Sequence, residues 1–450
     1  MIPNRKRSAP VPGYRQLIRK SAGLRNLWIG KLISFAGDWL NAVAVLAAVQ
    51  ALSSTAAALT LVTLARTLAV LVIAPVAGPL IDRLDRRRLL LVVDALRALC
   101  ALGLVVAYQL DSLVGLYAGL AATMMCAGIA IPTQHAIVPR LVARTEVPAA
   151  NSLLAGTWAV MVAVGAALGG AATATLGISA ALVIDALTFV VSLAFFARMP
   201  ALPAHADRSH ADQLHADQLH AGQLHARATG FFACLRYLAT RPRVLALTLL
   251  KPALQMLGGL LAFLPLYTTG VLGGASGPVV LGILFASRGL GAVIGTTYLR
   301  RLVDDDLARL RRWMVAAYAL VAAGTAALAL ASHMWHAALA IGVVGIGHSA
   351  GWVAGTSLLQ LESDKRFHGR LFSVEFCLGM VLMAAASMVA GTALDLGASL
   401  RGVTLVFAAL AAALVALVGA VLAPMPGRPR SAGRGRAPGL GLRVVAHLNR

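Results

Sequence analysis

The chain of 450 residues is 59% hydrophobic and only 12% charged, with a mean hydropathy of +0.81 and a formal net charge of +22. A soluble domain carries about 25% charged residues, so this composition excludes an ordinary water-soluble fold and requires most of the chain to face lipid or other helices. The four cysteines (Cys100, Cys126, Cys234 and Cys377) are far apart with no C-x-x-C spacing, which excludes a disulfide framework and a cysteine zinc site.

The chain opens on a basic tail, residues 1–26, where Arg5, Lys6 and Arg7 precede no nearby apolar run with a cleavage site. It reads as a retained tail rather than a signal peptide. Apolar runs follow at 27–50, 57–81, 89–109, 113–133, 151–175 and 178–198. A polar interval, 200–243, separates them from runs at 244–270, 277–299, 313–331, 335–360, 371–395 and 400–423. Each has about the length that crosses a bilayer as a helix, ~20 residues. The expected units are the bundles 27–199 and 244–424, the linker between them, and a second basic tail at 425–450. Both bundles place a basic loop after their second run and a long polar joint after their fourth, as two copies of one plan would. Inside the linker, His205 to His225 recur every five residues. Five residues advance a helix by about 140° beyond a full turn, so the histidines share no face, and the repeat reads as a low-complexity tether rather than a metal site.

Charge placement tests this segmentation. Of the 39 Lys and Arg residues, 33 fall in the tails and in the alternate loops near 82–88, 134–150, 198–243, 300–312 and 361–370. The opposite loops hold only Arg401, and Lys31, Arg66, Arg97, Lys251 and Arg288 lie within runs. Short Lys/Arg-rich loops are retained inside, so both termini are expected on the cytoplasmic side. The basic surplus is then orientation and lipid-headgroup charge, not a nucleic-acid surface.

The densest of these loops is Gly78-Pro79-Leu80-Ile81-Asp82-Arg83-Leu84-Asp85-Arg86-Arg87-Arg88. It resembles the G-x-L-x-D-R-x-G-R-R signature of the major facilitator superfamily, placed between the second and third membrane helices. Gly78, Leu80, Asp82, Arg83, Arg86 and Arg87 match, and Asp85 replaces the second glycine. Further stretches resemble the bacterial branch of the enterobactin exporter and the macrolide-efflux relatives. They are Arg25-Asn26-Leu27-Trp28, Gly37-Asp38-Trp39-Leu40, Pro139-Arg140-Leu141-Val142, Ala150-Asn151-Ser152-Leu153 and Gly369-Arg370-Leu371-Phe372-Ser373. Gly165 to Gly170 resembles the antiporter signature G-P-x-x-G-G, with Ala166 in place of proline. The resemblance implies an all-α, polytopic membrane protein with twelve transmembrane helices in two parallel, pseudo-symmetric six-helix bundles around a central cavity. It also implies export of drug- or siderophore-like molecules by proton antiport across the bacterial inner membrane.

Ionisable residues inside a membrane are costly and point to function. In the first run Lys31, Ser34, Asp38 and Asn41 fall within an arc of about 80°. That stripe faces either a wet cavity or a buried partner. Asp38 either exchanges a proton or pairs with an arginine of a neighbouring helix, and Arg66 is its expected partner or a contact for an anionic substrate. Asp94 and Arg97 are i, i+3 neighbours that can pair and, with Gly78, Asp82, Arg83, Arg86 and Arg87, are read as the gate. Asp185 either relays protons or makes a packing hydrogen bond. In the second bundle Lys251 and Gln255 share a face with Thr248 and, with Arg288, are candidate substrate contacts. Glu375 is a coupling or cavity candidate, with Arg83 or Arg86 as partner in a latch between the bundles that forms when the outside is open and must break for the inward-open state. The glycines at 347, 351 and 355 are read as helix packing.

No nucleotide loop, metal-ligand cluster or nucleophile constellation is present, so neither an enzyme nor a metal centre is expected. The leading expectation is an exporter of amphipathic small molecules that needs no cofactor, takes its energy from the proton gradient, has membrane lipid as its surroundings and works as a monomer. The alternatives are a facilitator or flippase for a lysophospholipid or nutrient, and a non-transporting receptor or scaffold on the same fold.

Overall fold

A computed structural model describes residues 14–143, 146–201, 231–271, 277–302, 307–364 and 367–423. The His repeat, the C-terminal tail and the side chain of Asp82 lie outside the described residues. Twelve helices are long and apolar enough to cross a membrane, and no strand occurs among the described residues. In chain order the elements are α1 (Tyr14–Lys20), α2 (Ala22–Leu52), α3 (Ala56–Arg83), α4 (Arg86–Gln109), α5 (Leu113–Leu141), α6 (Val147–Leu176) and α7 (Ile178–Ala197). They continue with α8 (Phe231–Thr240), α9 (Pro242–Leu257), α10 (Gly277–Leu302), α11 (Leu307–Ala329), α12 (Met334–Glu362), α13 (His368–Asp395) and α14 (Leu400–Leu422). The spans are α2–α7 and α9–α14; α9 extends through a 3₁₀ stretch, Gly258–Phe263, to carry its span to Thr269.

Short polar residues set the helix starts. Ser21, Thr55, Asp85, Ser112 and Ser399 each accept a hydrogen bond from a first-turn amide, satisfying donors that have no partner inside the helix. This explains the departure at position 85 of the basic motif. Asp85 accepts from the Arg88 amide at 2.8 Å and caps α4, work that glycine does less well. The motif's arginines then pin the turn to its own bundle. Arg86 donates to the Ala136 carbonyl at 3.3 Å, and Arg87 donates to that of Ala197.

Packing repeats between the halves. In the first, α2 packs on α6 and α7, α3 on α5, and α4 on α5 and α7. In the second the equivalent pairs are α9 with α13, α10 with α12, and α11 with α12 and α14. The principal contacts between halves, α6 with α10 and α3 with α13, exchange under the same two-fold relation, as expected of parallel repeats about an axis along the membrane normal. An even number of spans brings α2 to begin and α14 to end at one face, together with the 82–88 turn. This is the basic face.

The halves are tied together at the opposite face. Gln50, at the end of α2, donates to the Pro265 carbonyl and the Thr269 hydroxyl, each at 3.0 Å. Asp395, at the end of α13, accepts from the Ala56 and Ala57 amides of α3 at 2.7 and 2.9 Å. Thr60 donates to the Ser387 carbonyl at 3.2 Å. Between α6 and α10 the backbones touch: a Cβ on Gly170 would lie 2.7 Å from the Pro278 carbonyl oxygen and 2.8 Å from the Gly282 Cα. The Gly165–Gly170 stretch therefore closes one wall of the molecule, with Gly165 and Gly169 fitting it against Ala36 and Leu40 of α2.

Candidate transport site

The polar stripe of α2 faces the inside of the first half, against α4 and α7, rather than the gap between the halves. Arg97 of α4 is its hub. The guanidinium binds the Asp38 carboxylate, donates to the Ser34 hydroxyl at 3.0 Å and lies 3.7 Å from Asp94. The Phe189 ring covers it, with 4.2 Å to the ring centroid. From α7, Ser192 donates to Asp94, and Asn41 donates to Asp185 at 2.7 Å. Gly37 makes this approach possible, because a Cβ there would lie 2.0 Å from the Thr188 hydroxyl and 2.7 Å from an Asp185 oxygen. Asp94 and Asp185 are fully buried, and one oxygen of each lacks a hydrogen-bond partner among the described residues. Asp38 differs: its side chain is 18% exposed against 2% for Arg97. It is the carboxylate of this cluster with access to its surroundings.

One pairing differs from the sequence expectation, and one state-dependent contact is absent in this state. Arg66 is within electrostatic reach of Asp38 but forms no ion pair among the described residues; Arg97 takes the carboxylate. The two arginines are on different helices, α3 and α4, and how each is turned against α2 decides between them. Glu375 does not reach Arg83 or Arg86 here, where the face opposite the basic loops is closed, the state in which the expected latch is broken. Glu375 binds Lys251 at 2.7 Å, within its own half, and both side chains are buried. Because α9 and α13 pack closely, the shorter route for the carboxylate is to its neighbour rather than across the opening. Lys251 is thereby paired within its own half; its ammonium also lies over Trp352 (4.3 Å) and Phe372 (5.4 Å). Lys31 is buried with its ammonium 4.9 Å from the Phe35 ring centroid and has no carboxylate partner among the described residues.

A cavity of about 430 Å³ lies at mid-span between the halves. Trp158 and Val162 of α6 wall it from the first half; the second half supplies Gln255, Arg288, His348, Trp352, Phe376 and Met383. Gln255 and Arg288, two of the candidate substrate contacts, line this cavity together. His348, Trp158, Trp352 and Phe376 were not anticipated. His348 sits inside the glycine seam of α12, where Gly347, Gly351 and Gly355 rest on Ala317, Leu254 and Lys251, and only the side of α12 away from that seam reaches the cavity. The hydroxyls of Thr296 and Ser349 bond back to their own helices. The carbonyl oxygen of Gln255 has no partner, and Arg288 forms no ion pair among the described residues. No cluster of metal-ligating side chains occurs among them either.

At the basic face, Lys20 of α1 binds Glu146 at 2.7 Å, which holds that carboxyl below the usual range. Glu362, at the end of α12, is held by Arg243 and by Arg311 at 2.9 Å.

The fold has known counterparts. A mutant of the nucleoside transporter NupG superposes with a TM-score of 0.67 at 14% identity, covering 88% of this chain and 99% of the other. A POT family transporter in complex with a thioalcohol-conjugated peptide gives 0.65 at 11% identity, covering 88% and 95%. The human organic anion transporter MFSD10 (TETRAN) gives 0.60 at 16% identity, covering 88% and 99%. No curated protein sequence matches the chain. Residues 27–374 match the sequence model of the Major Facilitator Superfamily. With that match across most of the chain, twelve spans in two related halves and a cavity between them, this protein belongs to the major facilitator superfamily and is a multi-pass membrane transporter rather than an enzyme.

Proposed function

We propose that the protein exports small amphipathic molecules from the bacterial cytoplasm by proton antiport, from the inner membrane and with both termini cytoplasmic. The observation that carries this reading is the one-sided closure: the halves are bonded together at one face, and a mid-span cavity lies on the basic-face side of those bonds. Basic loops are retained inside, so the closed face is the outer one and the cavity loads from the cytoplasm. Opening the outer contacts and closing the inner side completes an alternating-access cycle.

Proton coupling is assigned to Asp38. It shares Arg97 with Asp94, so a proton on Asp38 leaves the guanidinium with Asp94 and frees α2 to shift against α4. The partial exposure of Asp38 gives the proton a way in that the buried Asp94 and Asp185 lack. No cofactor takes part in this scheme; the energy source is the gradient, and one chain holds the complete cavity.

The test is uptake of a panel of amphipathic compounds into inside-out vesicles, with and without an imposed pH difference, for wild type and Asp38→Asn. Wild type accumulates substrate only with the gradient, and Asp38→Asn binds substrate but loses gradient-driven accumulation. Flux indifferent to the gradient would make the protein a facilitator; absence of flux for every compound would leave a receptor or scaffold.

A further inference from the structure

The charge balance of the cavity restricts what can occupy it, and the restriction builds on the transport reading above. Among the other cations within the spans Arg66 makes no ion pair but is within electrostatic reach of Asp38, and the remaining three have a partner in contact. Arg97 has Asp38 and Asp94, Lys251 has Glu375, and Lys31 lies on the Phe35 ring. Arg288 lines the cavity at mid-span with no ion pair and no aromatic ring over its guanidinium among the described residues, and none of the residues around it is Asp or Glu. The carboxylate next to lining residue Phe376 is Glu375, and Lys251 already holds it. An unmatched charge at this depth is costly, and a cost of that kind is retained where a ligand supplies the missing partner.

We propose that the cavity binds an amphipathic organic anion. Its carboxylate, sulfonate or phosphate group docks on Arg288, and its apolar body lies against Trp158, Trp352, Phe376 and Met383. A guanidinium presents a fork of donors that matches an oxyanion with two parallel hydrogen bonds. The position of Arg288 is set firmly: its backbone packs against Gly345, where a Cβ would come within 2.3 Å of the Arg288 carbonyl oxygen. The cavity volume lies within the 300–1,000 Å³ typical of small-molecule sites. A cationic amphiphile, by contrast, finds a like charge and no carboxylate.

The experiment uses the full chain in phosphatidylcholine vesicles and three probes with one fluorophore: dansylglycine (anion), dansylamide (neutral) and dansylcadaverine (cation). Energy transfer from the cavity tryptophans reports binding, and trapped fluorescence reports flux. Dansylglycine binds at least tenfold more tightly than the other two, a difference of about 1.4 kcal/mol. Arg288→Gln erases the preference and Arg288→Lys keeps part of it, each checked for a monodisperse gel-filtration profile. Equal or tighter binding of the neutral or cationic probe, no binding of any probe, or a preference that survives in well-folded Arg288→Gln overturns the inference. Flux of dansylcadaverine alone keeps the transporter and removes the anion site. Arg288-dependent binding of dansylglycine without flux keeps the site and removes the transport reading. Displacement of dansylglycine by lysophosphatidate identifies the anion as a single-chain lipid; failure to displace identifies a free organic anion.

Discussion

The seal at the face opposite the basic loops gives a measurable conformational prediction. Asp395 accepts from the first two amides of α3, across the boundary between halves. When that face opens these donors turn to water, so the carboxylate favours its closure by the difference between the two arrangements. Two charge-assisted hydrogen bonds at a helix N-terminus set the scale. Asp395 is exposed, which removes the premium of a buried pair and leaves a helix-cap value of about 1–2 kcal/mol. That corresponds to about a 5–30-fold change in the ratio of closed to open protein. The assay is alkylation by a membrane-impermeant maleimide of Ser387→Cys, a fully buried position behind the seal, in a chain whose four native cysteines are replaced. When opening is fast compared with labelling, the rate follows the open population. Asp395→Ala raises the rate about 5–30-fold, and Asp395→Asn, which keeps one acceptor oxygen, falls between it and the parent. Asp111→Ala, in the α4–α5 turn of the same face, leaves it unchanged. An unchanged rate in Asp395→Ala refutes the assignment of the seal.

The buried Lys251–Glu375 pair predicts a stability pattern. Removing one partner of such a pair costs ~3–5 kcal/mol, and the Trp352 and Phe372 rings near the ammonium reduce this to about 2–4 kcal/mol for Glu375→Gln. Lys251→Met, which strands the carboxylate, is worse, and the double variant Lys251→Met/Glu375→Leu recovers; thermal unfolding in a single detergent ranks them, and additive losses would contradict the pairing. At the basic face Glu146 is held below its ordinary pKa of 4.5 by Lys20. The sign follows: this contact contributes fully above the ordinary value and is lost as pH falls through the lower folded-state value. Proteolysis of the N-terminal segment should therefore rise in acid, and Lys20→Met should show the acid rate already at neutral pH. Export of a monoanion against one proton is equivalent to moving two positive charges inward. A potential of about 100 mV, negative inside, then adds about 4.6 kcal/mol of drive. Potassium–valinomycin potentials at constant pH should accelerate dansylglycine export more than that of neutral dansylamide; equal responses would reject the charge count.

Much of the architecture was legible because lipid leaves the chain few choices. Every backbone amide and carbonyl at membrane depth must be satisfied within the segment, so long apolar runs become helices, and the polar residues Ser21, Thr55, Ser112 and Ser399 mark where they start. The runs and the observed helices agree to within a turn or so at most ends; α5 overshoots, continuing through Pro132 and Pro139 to Leu141. Its last turns carry Gln134 and Arg140, and their polarity hides the continuation from a hydropathy reading. The basic motif located the α3–α4 turn, and Asp85, the residue that departs from it, proved to be the cap of the next helix.

The partners of the charged groups were not legible, and the reason is geometric. A helical wheel fixes the angle between two side chains on one helix, and so Lys31, Ser34, Asp38 and Asn41 could be grouped. It does not fix how that helix is turned against its neighbours. In a protein of two bundles a polar stripe has two kinds of interior to face: the core of its own half, or the chamber between halves. The α2 stripe faces the first kind, with Arg97 and Asp185 as its counterparts. Gly37 carried the signal that decides between them. It lies midway along the stripe and on its flank, and a residue without a side chain beside a polar face indicates another helix pressed close, whereas a face lining a wet chamber has no need of it. Applying the same test to the eighth span gives the opposite answer. Arg288 is followed by Gly289, which meets Ala163 of α6, and by Gly291, which meets Gly342 of α12. These close contacts are on the flanks of the arginine and take up both neighbouring helices, so the arginine itself is directed to the space left between them, which is the cavity.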